Sequence, residues 1–187
     1  MITILGIDPG SVNAGYAVIR FRVAKGKMEF RFEECGKLKM LLKELKVPHK
    51  KVLRQHVAEV RKLVKTYGVE AILTERFMTR GIKGPTIEAV NQMLGALDIG
   101  LPQEITQISA ATWKNQVNKV FDLKEFYKKV RVQPHEIDAV FQAMWLAEKK
   151  LGVKILATFS SSSRRKKLIR MIECKTTSPL KKARRKL

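Results

Sequence analysis

Ile4-Leu5-Gly6-Ile7-Asp8-Pro9-Gly10-Ser11, followed by Gly15-Tyr16-Ala17-Val18-Ile19, is the stretch on which the fold turns. Ile2, Ile4, Leu5 and Ile7 read as a buried strand, and Asp8 stands at its exit, where Pro9 and Gly10 bend the backbone away. Tyr16, Val18, Ile19 and Phe21 read as a second strand after the glycine-bearing turn, and Met28 to Cys35, alternating Phe30 and Phe32 with charges, as a third. Short turns between these runs suit an antiparallel meander rather than crossovers.

Further along, the period changes. Val52, Val57, Val60, Leu63 and Val64 recur at helical spacing up to Tyr67, and Gly68 ends that helix. Val69, Ala71, Ile72 and Leu73 form a run too short for a helix, predicting a central strand that stops at Thr74 and Glu75. Helices over about Pro85 to Leu97, Ala110 to Val117 and Leu123 to Val130, with a strand near Ile105 to Ile108, continue the alternation. A last helix opens at Pro134 and runs to about Lys150, with Ile137, Val140, Phe141, Met144 and Leu151 on its sheet-facing stripe. The expectation is an α/β fold: a mixed five-stranded sheet, its first three strands antiparallel, flanked by helices.

At 187 residues and 45% apolar side chains the chain can bury one core, so one domain is expected over residues 1–158. Lys and Arg number 38 against 17 acidic residues, a formal charge of +21 that calls for a polyanionic partner. Nucleic acid is favoured over a membrane surface, because no long apolar run or signal segment is present. Cys35 and Cys174 lack metal-ligand spacing and fit a reducing cytoplasm.

Residues 159–187 differ in composition: Ser160 to Ser163 read as a hinge, followed by Arg164, Arg165, Lys166 and Lys167. From Ser163 to Leu187 there are 11 Lys or Arg and one acid, Glu173, so a net +10 resides there. A basic C-terminal tail that holds DNA is the expectation; Leu168, Ile169, Met171 and Ile172 alternatively allow one short amphipathic helix.

In so basic a chain the acids at strand ends and helix starts are informative. Asp8 and Glu75 would meet at one sheet edge and repel unless a cation sat between them. Asp138, in the first turn of the last helix, has His135 three positions before it on a neighbouring face. Glu136 stands roughly 160° around from Asp138 and ranks below it. Singly these acids could form a turn, pair with Arg76 or Lys83, or cap a helix; jointly they offer hard oxygen ligands suited to magnesium beside a phosphate.

The opening string resembles the first motif of the RuvC family of Holliday-junction resolvases, nearly residue for residue. Glu75-Arg76-Phe77-Met78 resembles the family's second acidic motif, Ala110-Ala111-Thr112-Trp113-Lys114 its lysine-bearing stretch, and His135 with Asp138 its last motif. The order and spacing of all four agree over about residues 2 to 150; the tail has no counterpart. The resemblance implies an RNase H-like fold and an endodeoxyribonuclease that resolves four-way junctions by paired cuts. It implies two Mg²⁺ ions, with Mn²⁺ as a substitute, held by Asp8, Glu75, His135 and Asp138, and Lys114 neutralising phosphate charge. Many members carry an acid where this chain has His135, which leaves the choice of metal open.

Arg76, Arg80, Lys83 and Lys119 are expected to position the DNA backbone, and Phe77 to stack on an unpaired base at the branch point. Two symmetrical cuts suit a homodimer, with Asn91, Met93, Leu94 and Leu97 as its expected interface. Other readings share these residues: a branched-nucleic-acid binding module that does not cut, or a ribonuclease H or flap nuclease. Asp8-Pro9-Gly10 with Gly15 also resembles the phosphate loop of sugar kinases and actin-like ATPases, which need a second large domain.

Overall fold

The computed structural model describes residues 1–10, 14–24, 27–38, 50–76, 84–159 and 161–175. Strand β1 (Ile2–Asp8) pairs antiparallel with β2 (Ala14–Ala24), which pairs antiparallel with β3 (Lys27–Leu38). On its other edge β1 pairs parallel with β4 (Ala71–Glu75), and β4 with β5 (Ile105–Ile108). The order β3-β2-β1-β4-β5 is the mixed sheet read from the sequence.

Period-two alternation divides the strands between two cores. Ile4, Ile19, Phe21, Phe32 and Leu73 face helix α5 (Pro134–Leu151), whereas Leu5, Ile7, Val18 and Ile72 face helix α1 (Lys50–Tyr67) and the end of α2 (Pro85–Gly100). A register shift between Val18 and Ile19 leaves an extra residue on β3, so Phe32 and Cys35, three apart, share the α5 face. On α1 the buried positions are Val52, His56, Val60 and Val64, one per turn. Helices α3 (Ala110–Asn118) and α4 (Leu123–Lys129) bring Trp113, Phe126 and neighbours onto the α5 side.

Helix α5 is nearly apolar from Ile137 to Ala147. Pro134 opens it, Glu136 accepts the backbone N–H of Gln133 at 3.1 Å, and Gly152 closes it in the left-handed region at φ 65°. It sits so close that a Cβ at Gly6 would lie 2.0 Å from the carbonyl oxygen of Ala139, and one at Gly15 2.2 Å from that of His135. Only glycine permits this approach.

Two expectations change. Of the stretch read as a hinge and tail, the described part follows a short 3-10 turn (Leu156–Phe159) with helix α6 (Ser162–Lys175), its Leu168 and Ile172 fully buried in the α5-side core, while residues 160 and 176–187 lie outside the described residues. The apolar pair at spacing four therefore outweighs the local charge, and the amphipathic helix is what forms. Met93, Leu94 and Leu97 of α2 are all buried within this chain, with Leu97 in the α1-side core, so of the expected interface residues only Asn91 is exposed. Among the described residues no helix is long and apolar enough to cross a membrane.

Candidate active site

β1 and β4 run parallel with Ile7 opposite Thr74, so the next residues, Asp8 and Glu75, end their strands side by side. Alternation from Ile4 and Leu73 turns both toward α5, whose first two turns carry His135 and Asp138. Asp8 and Asp138 are buried, each 6% exposed.

Each carboxylate has a partner from a different element. Asp8 Oδ2 is engaged by the His135 imidazole Nδ1, and Glu75 Oε2 accepts the Trp113 indole N–H at 3.2 Å. Asp138 accepts the Tyr127 phenol on Oδ1 and pairs through Oδ2 with the Lys114 ammonium at 3.0 Å. Lys114 also lies over the Trp113 ring, 4.9 Å from its centroid, and Ser109 caps α3 by accepting the Thr112 N–H, which starts the helix that presents both residues.

Electrostatics tie these groups into one cluster. Burial, then the nearby Asp138 charge, raises Asp8 above the usual carboxylate range, against the lowering effect of His135 and Lys114. Burial raises Glu75 too, with Asp8 and Asp138 adding to it while Lys114 and Trp113 oppose. Burial penalises the Lys114 ammonium, but attraction from Asp138, Glu75 and Asp8 outweighs it and lifts its pKa. His135 is raised chiefly by its hydrogen bond to Asp8. Three carboxylates thus share one cluster with one lysine and one histidine, and burial is the main reason that Asp8 and Glu75 resist ionisation there.

Glu136 is fully buried and engaged at the start of α5. Arg76 and Lys119 are exposed near the ends of β4 and α3. Phe77, Arg80 and Lys83 lie outside the described residues. Arg164 donates to the Thr158 carbonyl at 3.0 Å and Arg165 to that of Phe159 at 3.1 Å, whereas Lys166 and Lys167 are exposed. Sequence reasoning missed Tyr127, and it gave Trp113 no role beyond its motif. A tyrosine in a short helix carries no signal of its own; only the tertiary placement of α4 brings it to Asp138.

A family model described as crossover junction endodeoxyribonuclease RuvC matches residues 4–134, well over half of the chain. The chain belongs to the RuvC family. It is therefore a junction-resolving endonuclease, and RuvC-family resolvases are divalent-metal dependent. The Thermus thermophilus RuvC in complex with Holliday junction substrate shares the fold, with 19% identity over 81% of this chain and 97% of that one, TM-score 0.64. The Thermus thermophilus RuvC structure solved separately gives 20% identity, the same coverage of 81% and 97%, and TM-score 0.64. A fowlpox virus resolvase with substrate Holliday junction DNA aligns over 78% of this chain and 99% of its own at 12% identity, TM-score 0.47. No curated protein matches the sequence.

The donor set fits a hard divalent ion: carboxylate oxygens from three elements, an imidazole at the rim, and Asp8 and Glu75 carboxyls raised first by burial and then by neighbouring negative charge, which a cation would offset. Among the described residues no three such side chains form a ready-made cage; each of the three carboxylates is engaged by a protein partner, Asp138 through both oxygens and Asp8 and Glu75 through one.

Proposed function

We propose that Asp8, Glu75 and Asp138, assisted by His135, hold two Mg²⁺ ions, Mn²⁺ substituting, against the scissile phosphate of a four-way DNA junction. The observation that carries this reading is the Lys114 ammonium, stabilised by Asp138, Glu75 and Asp8 together: three carboxylates from separate stretches surround one positive charge. Such ions, when bound, lower the pKa of an attacking water and offset charge on the leaving 3′ oxygen.

The chain's own residues do the rest. Asp8 and Glu75 are fixed by rigid strand ends, and Asp138 by the first two turns of α5, so the carboxylates need little reordering to bind. Tyr127 and Trp113 orient Asp138 and Glu75 through one oxygen each, and the second Asp138 oxygen, paired with Lys114, would exchange that partner for a bound ion. Lys114, relieved of balancing the acids, is placed to meet the charge growing on the phosphate. His135 must give up its proton to ligate, so metal affinity rises with pH through its raised pKa. Arg76 and Lys119 steady the DNA backbone beside the cluster, and a twofold homodimer supplies two matched sites for two symmetrical cuts.

Four substrates test this: a four-way junction, a flap, a linear duplex and an RNA–DNA hybrid, each with Mg²⁺, Mn²⁺ or chelator. Paired symmetrical nicks in the junction, abolished by chelator, are the expected result. Equal cutting of flap or hybrid would overturn junction selectivity, and metal-independent cutting would overturn the site.

A further inference from the structure

The family match ends at residue 134, and the Thermus fold accounts for 81% of this chain but 97% of its own. Helix α6 lies after the matched segment, yet it is built into the core. Leu168 and Ile172 are fully buried, the Cys35 thiol sits 3.6 Å from the Ile172 carbonyl, and the Arg131 backbone N–H donates to Glu173 at 3.0 Å. At its first turns Arg165 lies 5.6 Å from the centre of the Phe121 ring.

That docking sorts the charges. At about 100° per residue, Arg170 points about 180° away from the mean direction of Leu168 and Ile172, with Lys166 and Lys167 within about 60° of it. All three are exposed, and they span about 6 Å of helix axis at 1.5 Å per residue. Glu173 is turned toward Arg131, while Arg164 and Arg165 are tied to backbone carbonyls; the outward ridge therefore carries positive charge alone. A disordered tail would have to order its lysines on binding, whereas these are already in register.

The ridge also lies on the acid cluster's side of the sheet. Phe121, beneath Arg165, packs edge-on against Phe126 at 5.6 Å, and the next residue of α4, Tyr127, touches Asp138. Phe121 thus contacts both α6, through Arg165, and α4, through Phe126.

We infer that the Lys166, Lys167 and Arg170 face of α6 is a preformed phosphate-binding ridge that grips one duplex arm of the junction as it leaves the active site. This rests on the chain binding junction DNA and adds where, beyond the cutting site, an arm is held.

The test uses the full chain with Lys166→Ala/Lys167→Ala/Arg170→Ala, all surface positions, and measures junction binding in chelator across a salt series. Two junctions are compared, one with arms of about two helical turns (~20 bp) and one trimmed to well under a turn. On long arms, loss of three phosphate contacts at about 0.9 each should flatten the slope of log K against log salt by about 2.7. Between 50 and 200 mM salt the parent should then lose about 40-fold more affinity than the variant. On short arms the two should coincide, and the rate of cutting bound junction with Mg²⁺ should be unchanged. A control removing three exposed lysines from α1, on the other face of the sheet (Lys51→Ala/Lys62→Ala/Lys65→Ala), should leave the slope alone.

An unchanged slope on long arms overturns the inference and assigns the ridge to another partner, such as an acidic protein. An equal loss on short arms, or in the α1 control, overturns it as well, since general attraction would then suffice. Because binding is read in chelator, failure of the parent to cut junctions would sink the proposed function without obscuring this result.

Discussion

Ile7 and Asp8 are neighbours on β1, and Thr74 and Glu75 are neighbours on β4, yet each pair divides between opposite worlds. On the α5 face the two acids join Asp138 with Lys114, His135, Trp113 and Tyr127 around them. On the α1 face lie Ile7, Thr74 and, on α1 itself, His56, which is 2% exposed; neither the Thr74 hydroxyl nor His56 Nδ1 has a hydrogen-bond partner among the described residues. One face holds charge and answers it with counter-charge; the other excludes charge, and burial pushes the His56 pKa down to about 4. Acid should therefore act on the two faces with opposite sign.

The largest effect is expected from Asp8→Asn. Cutting should fall to background while salt-sensitive junction binding persists, and thermal stability should rise, because a buried carboxylate with a raised pKa is held ionised at the fold's expense. In the parent, activity should fall with decreasing pH through the raised pKa values of Asp8 and Glu75, above where ordinary carboxylates titrate. Protonation there relieves repulsion, so this face gains stability as it loses activity. An Asp8→Asn protein that cuts normally would break the comparison at its root.

Next comes Lys114→Ala, expected to slow single-turnover cutting by about 10²- to 10³-fold, as when a charge-stabilising donor is removed. Partial recovery with Lys114→Arg would sharpen the point, since charge rather than shape is what the acids demand.

His56→Leu tests the other face. Below pH 6.5 the unfolded chain binds a proton that folded His56 refuses until about pH 4, so the parent should lose stability through that window. At 1.36 kcal/mol per unit the full loss is about 3 kcal/mol. Denaturant titrations from pH 7 to 4 should show a flatter decline in the variant; identical slopes would mean that the buried imidazole takes no part.

The smallest effect is assigned to Tyr127→Phe, which removes only the hydroxyl behind Asp138. Metal affinity weaker by about 10-fold, read from the Mg²⁺ titration of cutting, is expected for a partner of a ligand. A higher Mg²⁺ requirement with unchanged rate at saturation is the signature of positioning; an unchanged Mg²⁺ titration would remove Tyr127 from the site.

Much of this was legible in the residues. Alternation and helical period place the strands and helices because local preference and burial agree there, and Asp8, Glu75, His135 and Asp138 stand where strand ends and a helix start had to put them. The partners of those acids were less legible. Trp113 and Tyr127 arrive from α3 and α4, whose positions are set by packing between Phe121, Phe126 and Phe141 rather than by any spacing. Helix α6 was legible only as the second choice, since four serines and a run of cations outweigh Leu168, Ile169, Met171 and Ile172 until the core that receives Leu168 and Ile172 is known. The α2 stripe was read as a surface for the same reason: periodicity shows that a face is apolar without saying what it meets.

Gly6 and Gly15 have no side chains, and that is what sets the dimensions of the cluster. A single methyl at position 15 would push against the His135 carbonyl and the Glu136 amide, and one at position 6 against Ala139 and Ala143. Either would lever the start of α5 off the sheet and spread the acids apart without touching one of them. The gauge of the jaw is cast in two hydrogen atoms.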